Sequence, residues 1–370
     1  MRQKRILSTV QSAVAGSRGS RQYRMNVGEE AGMKASIRYI SELTGFSPAT
    51  VSNALNHKKG VNAKTAAEVF RVAKEVGYIN ENSISKIKLV TFKKNGSIID
   101  DTPFFPTLIS GFEQECRQCG YEMVLCNLDE RDSDYEHQVK NLVQDSESAS
   151  VILGTEMMGG ELNPFRYARS PVVILDYWQD SMDFSGVLIN NFDSAKKAVE
   201  YLIEQGHREI GYIRGAYRIN GFKVRGQGYQ SAMRKYKLEV KNHYIITLST
   251  TLNGAYQDML AYLDKEPGLP TAFFVDNDMI ALGAMKALQE RGYKVPDDVS
   301  IIGFDDLPFS EISYPPLTTL RVPNKEMGRL AVRRLIDMIQ NPGEVVVTKT
   351  EVCTKFIERQ TVKKLVQTVI

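Results

Sequence analysis

The sequence predicts an α/β protein in two parts: a small all-helical helix-turn-helix headpiece and a larger body of parallel sheets. Three observations predict it. Three short segments of helical apolar spacing open the readable part of the chain, punctuated by capping residues. From residue 88 onward, short apolar runs alternate with amphipathic stretches, the βαβ rhythm of parallel sheets. The charge is also divided. Residues 1–32 carry six basic and two acidic residues and residues 33–88 carry nine and four, yet the 370-residue chain is only +3 overall, so the body is acidic. A basic front end on an acidic body marks the front as the part that meets a polyanion.

Residues 1–32 show no amphipathic pattern. Gly28-Glu29-Glu30 can be encoded by a purine-rich stretch like a bacterial ribosome-binding site, just ahead of Met33. The expectation is a native start at Met33, with residues 1–32 a leader or a disordered extension. The other reading is a basic tail that touches DNA phosphates.

The headpiece follows. Ile37, Ile40 and Leu43 share one helix face. Gly45-Phe46 makes a tight turn. Ser47 is a good N-cap and Pro48 suits the first helical position, so a second helix runs Pro48–Leu55 with Val51 and Leu55 inward. Asn62 caps a third helix, with Ala66, Val69, Phe70, Ala73 and Val76 inward and Gly77 closing it. In a helix-turn-helix the second helix lies in the major groove of double-stranded DNA. Pro48, Ala49 and Asn53 project from its start as candidate base readers. Asn pairs bidentately with adenine, while Pro and Ala offer apolar contact to a thymine methyl. Thr50, Ser52, His57, Lys58 and Lys59 are candidate phosphate contacts. On spacing alone, a bundle with a solvated Thr/Ser/Asn face stays open.

In the body, strands are expected at Lys88–Phe92, Glu122–Cys126, Ser150–Leu153, Val172–Leu175, Gly186–Ile189, Ile210–Ile213, Ala272–Val275 and Ser300–Gly303. Helices are expected at Thr107–Cys119, Ser194–Gln205, Arg225–Tyr236 and Met279–Arg291. That many strands make two sheets, hence two lobes with a cleft, and ligands of such sheets sit beyond the strand C-terminal ends. Polar residues stand at those ends: Asp176, then Asn190 and Asn191, then Asp276, Asn277 and Asp278, then Asp305 and Asp306, with Arg225 opening a helix. Carboxylates, amides and a guanidinium suit a polyhydroxylated ligand, because each can bond adjacent hydroxyls. Phe104, Phe105, Tyr177 and Trp178 are aromatics that can stack on a sugar face. Taken singly, each Asp or Asn is equally a turn former or helix cap.

No catalytic, nucleotide-binding or metalloprotease fingerprint is present. Cys116 and Cys119 form a C-x-x-C inside a helical run, without a second pair to complete a zinc site. The four cysteines read as structural thiols of a cytoplasmic protein, with no cofactor and no metal. No run approaches the ~18–20 apolar residues of a membrane span.

The residues also carry a family resemblance. Ile37-x-x-Ile40-x-x-Leu43-Thr44-Gly45-Phe46-Ser47-x-Ala49-Thr50-Val51-Ser52-x-Ala54-Leu55-Asn56 resembles the headpiece of the lac repressor family. Arg225-x-x-Gly228-Tyr229, Asn277-Asp278-x-x-Ala281-Leu282-Gly283, Ile302-Gly303-Phe304-Asp305-Asp306 and Pro316-Leu317-Thr318-Thr319-Leu320 continue the match through the body. The resemblance implies a two-lobed effector domain of the type I periplasmic-binding-protein kind and a homodimer joined through it. It implies base reading at Pro48, Ala49 and Asn53, and effector contact at Asp176, Arg225, Asn277 and Asp305. Phe104, Phe105 and Asn191 complete the expected effector site. The implied boundaries are a headpiece at 33–80, a linker at 81–88 and an effector domain at 89–358. Lobe 1 would hold 89–189 and 319–346, including a helix Asn324–Gln340; lobe 2 would hold 190–318 and 347–358. A tail at 359–370 has helical apolar spacing at Val362, Leu365, Val366 and Val369.

Two departures stand out. Gly77-Tyr78 is not followed by the family's x-Pro-Asn and hinge helix with its leucine wedge, which leaves Ile84 or Ile87 as the candidate wedge. In the Thr247–Tyr256 loop, where the family often places an aromatic to cover the sugar, Thr250-Thr251-Leu252 offers none. The expected function is a ligand-responsive transcriptional regulator, a repressor with a small carbohydrate effector. The rivals are a regulator answering to a protein or non-sugar effector, and a solute-binding protein.

Overall fold

In the computed structural model, residues 36–55, 61–76, 78, 84–100, 102–343 and 346–365 are described. The chain divides into two compact units, Met1–Asn80 and Glu81–Ile370. Residues 1–35 and 79–83, and with them the expected leader and the first part of the linker, lie outside the described residues, as do His57, Lys58, Lys59, Val366 and Val369.

The first unit holds α1 (Ile37–Thr44), α2 (Pro48–Leu55) and α3 (Ala63–Glu75). Each start is capped by a side chain. Ser36 Oγ accepts from Tyr39 N at 3.2 Å, Ser47 Oγ from Thr50 N at 3.1 Å, and Asn62 Oδ1 from Thr65 N at 2.8 Å. Gly45 ends α1 at φ 73°, left-handed backbone that suits glycine. Ile40, Val51, Ala54, Val69, Val72 and Ala73 form the core. Leu43, on the face shared with Ile37 and Ile40, is 51% exposed, and Phe70 is half-buried.

The second unit contains two parallel sheets. The six-stranded sheet has the order β11-β5-β4-β3-β1-β2, from β1 (Lys86–Lys93), β2 (Glu122–Asp129), β3 (Ser148–Leu153), β4 (Val172–Leu175), β5 (Ser185–Ile189) and β11 (Lys349–Val352). The four-stranded sheet has the order β7-β6-β8-β9, from β6 (Ile210–Gly215), β7 (Ile245–Leu248), β8 (Ala272–Val275) and β9 (Ser300–Ile302). Helices α4 (Phe104–Gln118), α5 (Tyr135–Gln144), α6 (Asn191–Glu204), α7 (Asn220–Lys235), α8 (Leu252–Leu263), α9 (Asp278–Glu290) and the short α10 (Pro308–Ile312) intervene. Helix α11 (Asn324–Gln340) returns to the first lobe and packs on α4. The two helices approach closely at Gly111, where a Cβ would stand 2.0 Å from Lys325 O. An ion pair joins them as well: Glu115, nearly buried, takes Arg329 at 2.9 Å and Arg333 at 2.7 Å.

The chain passes between lobes at three places: β5 to α6, β10 (Thr319–Arg321) to α11, and β11 to β12 (Lys355–Ile357). β10 and β12 pair antiparallel. The crossing corrects the expected lobe boundary. Residues 349–352 belong to the first sheet, paired parallel to β5, and not to the second lobe. β7, β10, β11 and β12 were not legible, because they are short and each carries polar or charged residues. α7 begins at Asn220, so Arg225 lies inside that helix instead of opening it. The tail is not helical over residues 361–365. It runs along β9, with Ile301 N donating to Thr361 O at 2.8 Å and Leu365 N to Gln205 O at 2.7 Å. Ile87 is fully buried in β1 and Ile84 packs on the core, so neither is a free wedge.

One buried carboxylate organises the loop after β1. Glu156 is 0% exposed. Its Oε2 accepts from the amides of Lys94, Asn95 and Gly96 at 2.9, 3.1 and 2.9 Å, and its Oε1 from Ile98 and Ile99 at 2.8 and 3.3 Å. These donors discharge the carboxylate's need for solvation. Glu156→Ala would leave the amides unpaired and should cost about 3 kcal/mol in urea unfolding, with Glu156→Gln, which keeps one acceptor oxygen, losing less.

Candidate functional site

On α2, Pro48 and Ala49 are exposed and Asn53 and Ser52 half-buried. Val51 and Ala54 on the opposite side are buried in the headpiece core. The helix therefore shows its expected base-reading residues on the face turned away from its neighbours. Thr50 Oγ1 bonds the Ser47 hydroxyl at 2.9 Å, which ties that candidate phosphate contact to the cap.

In the second unit, the strand ends and α7 bring Phe104, Phe105, Asp176, Arg225, Asn277 and Asp305 around one inner cavity of about 30 Å³. Asn191 stands beside it, bonded to Arg225. Arg225 is the centre. Its Nε donates to Asn191 Oδ1 at 2.8 Å, Nη1 to Asp276 O at 2.5 Å and Nη2 to Asp305 Oδ1 at 3.5 Å. Its guanidinium carbon sits 3.5 Å from the Phe304 ring centroid, a cation–π stack. Asp176 reaches the cavity from the first lobe, accepting from Thr155 Oγ1 at 2.7 Å. Both carboxylates sit on left-handed backbone, at φ 60° for Asp176 and 112° for Asp305. Strained non-glycine backbone at two facing strand ends is the pattern of a binding site. Phe104 and Phe105, both buried, stack edge to face at 5.2 Å.

Not every polar strand end lines the cavity. Asp276 is fully buried and takes Tyr212, Arg218 and the Gly215 amide. Asp278 is also fully buried and holds Leu307 N at 2.9 Å, Ser310 Oγ at 2.6 Å and Thr319 Oγ1 at 2.6 Å. These two build the scaffold. Asn277 does both jobs, capping α9 through Ile280 N at 3.0 Å while lining the cavity. Tyr177 packs in the first lobe's core, and with Trp178 it also lines a larger adjoining chamber. Thr155, Ile98, Ile219 and Phe222 also line the inner cavity and were missed. They are ordinary residues in loops or helix starts, with no motif to flag them. The aromatic absent from the segment after β7 is replaced by a contact between lobes, Thr250 Oγ1 donating to Ser97 O at 3.1 Å.

Among the described residues, no group of three His, Cys, Asp or Glu side chains is placed to hold a metal ion. No described helix is long and apolar enough to cross a membrane.

A capped helix-turn-helix and a two-lobed cleft lined by carboxylates and an arginine define the class: a DNA-binding regulator with a ligand domain. Comparison with known proteins agrees. Residues 36–81 match the model of bacterial regulatory proteins of the lacI family, and residues 199–362 that of a periplasmic binding protein-like domain. The chain is 30% identical over 336 residues to the HTH-type transcriptional repressor PurR of Haemophilus influenzae, covering 90% of this chain and 99% of that one. It is 30% identical over 311 residues to the ribose operon repressor of Escherichia coli, covering 83% and 94%. The solved complex of the transcriptional regulator CelR with cellobiose matches with TM-score 0.67 at 25% identity, over 89% of this chain and all of that one. The lac repressor dimer bound to operator matches in fold, with TM-score 0.66 at 22% identity, over 89% and 99%. The chain belongs to the lacI family of bacterial regulatory proteins. Its relatives are repressors, not enzymes.

The cleft also sets a pH dependence. Burial pushes Asp305 up to about 8; Arg225 pulls it back, and Asp278 and Asp176 push it further up. Burial likewise raises Asp176 to about 6 against the Thr155 bond and Arg225. An unfolded Asp releases its proton near its usual pKa of about 4. From there up to about 8 the folded chain holds protons the unfolded chain has lost, so these groups make stability fall as pH rises. Melting temperature should therefore drop between about pH 6.5 and about pH 8, and Asp305→Asn should flatten that slope.

Proposed function

We propose that the chain is a cytoplasmic, homodimeric transcriptional repressor whose operator affinity is set by a small polyhydroxylated ligand, a sugar or a derivative. The headpiece occupies 33–80 and the effector domain begins at 89. The observation that carries the ligand half is the pairing of Asp176 and Asp305, each on left-handed backbone, around the stacked guanidinium of Arg225. Carboxylate, amide and guanidinium groups hold vicinal hydroxyls in two-pronged fashion. Phe104 and Phe105 supply the apolar face that a sugar ring needs. The relatives' names, a ribose operon repressor and a regulator complexed with cellobiose, support the same class.

The DNA half rests on α2. Pro48, Ala49 and Asn53 read base edges, and Thr50 and Ser52 touch phosphates. His57, Lys58 and Lys59 add phosphate contacts after the helix. The dimer is supported by an apolar surface that one chain leaves open on the second lobe, where Phe309, Ile312 and Tyr314 are 44%, 78% and 87% exposed. Two headpieces then bind a near-palindromic operator. The ligand acts only through its different affinity for two lobe arrangements, and the coupling is reciprocal.

Operator selection followed by quantitative footprinting tests the DNA half. Asn53→Ala should cost about 1–3 kcal/mol on the selected operator and relax one base position. An equal loss on every sequence contradicts base reading. The ligand half is tested by Arg225→Ala, which should keep operator binding and lose the response to any sugar that releases the wild-type protein. A mutant that responds at unchanged sugar concentration would make Arg225 purely structural.

A further inference from the structure

The inner cavity does not end at its polar wall. Asp176 and Ile189 are shared with a second, much larger chamber of about 650 Å³, which Asn191 also lines. That volume is typical of a site for a whole organic ligand, whereas the inner cavity is smaller than a single sugar ring. Both lobes line the chamber, the first through the segment after β4 and the second through the start of α7.

Three features say what the chamber takes. Trp178 forms part of its wall; its indole lies against Gly186, where a Cβ would stand 3.0 Å from the ring, and Lys349 Nζ stands 5.5 Å from the ring centroid. An indole is a platform for a sugar face. Gln179 Oε1 is buried in the same wall and accepts no hydrogen bond from any described residue, while its Nε2 donates to Asn163 Oδ1 at 3.3 Å. A buried acceptor without a donor costs free energy, which a ligand hydroxyl recovers once the Gln179 side chain turns toward the chamber. The charges are also balanced. Lys349 pairs with Glu351 at 2.6 Å, and the other charged lining residues are Lys223, Asp176 and Asp180, so no cationic pocket for a phosphate is formed.

We propose that the effector is a neutral saccharide of two rings, one held at Asp176, Arg225, Asn277 and Asp305 and the other in the chamber on Trp178 and Gln179. This rests on the sugar-effector reading above and adds the size and charge of the ligand. The first ring enters as the lobes part. The second fills space that already exists.

Trp178 is the chain's only tryptophan, so its emission reports on the chamber alone. The full-length protein is titrated with glucose, galactose and ribose and with cellobiose, maltose and lactose, following emission and melting temperature together. At least one disaccharide should bind about tenfold or more tightly than its component monosaccharides and shift the emission saturably. Gly221→Leu places a side chain in the chamber from the start of α7, where a Cβ meets nothing closer than 3.6 Å. It should remove most of the disaccharide's advantage, and Gln179→Ala part of it. Monosaccharides that bind as tightly as any disaccharide, with binding lost in Arg225→Ala, would overturn this proposal and leave the sugar-effector reading standing. A disaccharide that raises the melting temperature without touching the emission would also overturn it. If no sugar of either size binds, both readings fall.

Discussion

The cleft is built around one buried cation. Arg225 lies on α7, one helical turn past Gly221, and its guanidinium is spent on four partners: an amide at the start of α6, a backbone carbonyl after β8, a carboxylate after β9 and the face of Phe304. An unpaired charge there would be prohibitive, and this set of partners makes it tolerable. The consequence reaches the backbone. Asp305 must hold a left-handed conformation to present its oxygen, and Asp276 must turn its carbonyl toward the cleft while its own carboxylate is gripped by Tyr212, Arg218 and Gly215. The loops after β8 and β9 and the start of α6 are thus arranged by one side chain.

The first lobe is organised by the opposite charge. Glu156 gathers the amides of Lys94, Asn95, Gly96, Ile98 and Ile99, and the loop so shaped places Ile98 on the inner cavity and Ser97 against Thr250 of the second lobe. Tyr217 reaches back to Glu156 O at 3.4 Å. Each lobe therefore has a buried ion that shapes the loops it presents to the other, and the faces that meet are fixed before any ligand is considered.

Much of this was legible in the sequence, for stated reasons. The headpiece announces itself through Ser47-Pro48 and Asn62, because capping is local chemistry. The central strands are legible because strands buried on both faces read as continuous apolar runs, as in Val172–Leu175. The polar cleft residues follow from their place after such runs. What escaped is what long-range pairing decides. β11, Lys-Thr-Glu-Val, has no apolar signal, and only its partner β5 makes it a strand. Asp276 and Asp278 flank Asn277 with the same chemistry, yet both are buried scaffold; the difference lies in Ser310, Thr319 and Arg218, which come from other elements. Val362 and Leu365 mimic helix spacing, but the backbone of their segment is claimed by β9 and the end of α6.

The three passages between the lobes carry a mechanical meaning. One strand could twist or slide freely, and two would leave a rocking motion about the line joining them. Three, with β10 and β12 hydrogen-bonded to each other, restrict sliding and shear and leave rotation about a common axis as the easy motion. A ligand in the cleft is then reported as an angle. Its size, more than its detailed contacts, sets how far the lobes turn, so ligands of one chemistry and different bulk are read by the rest of the molecule as different signals.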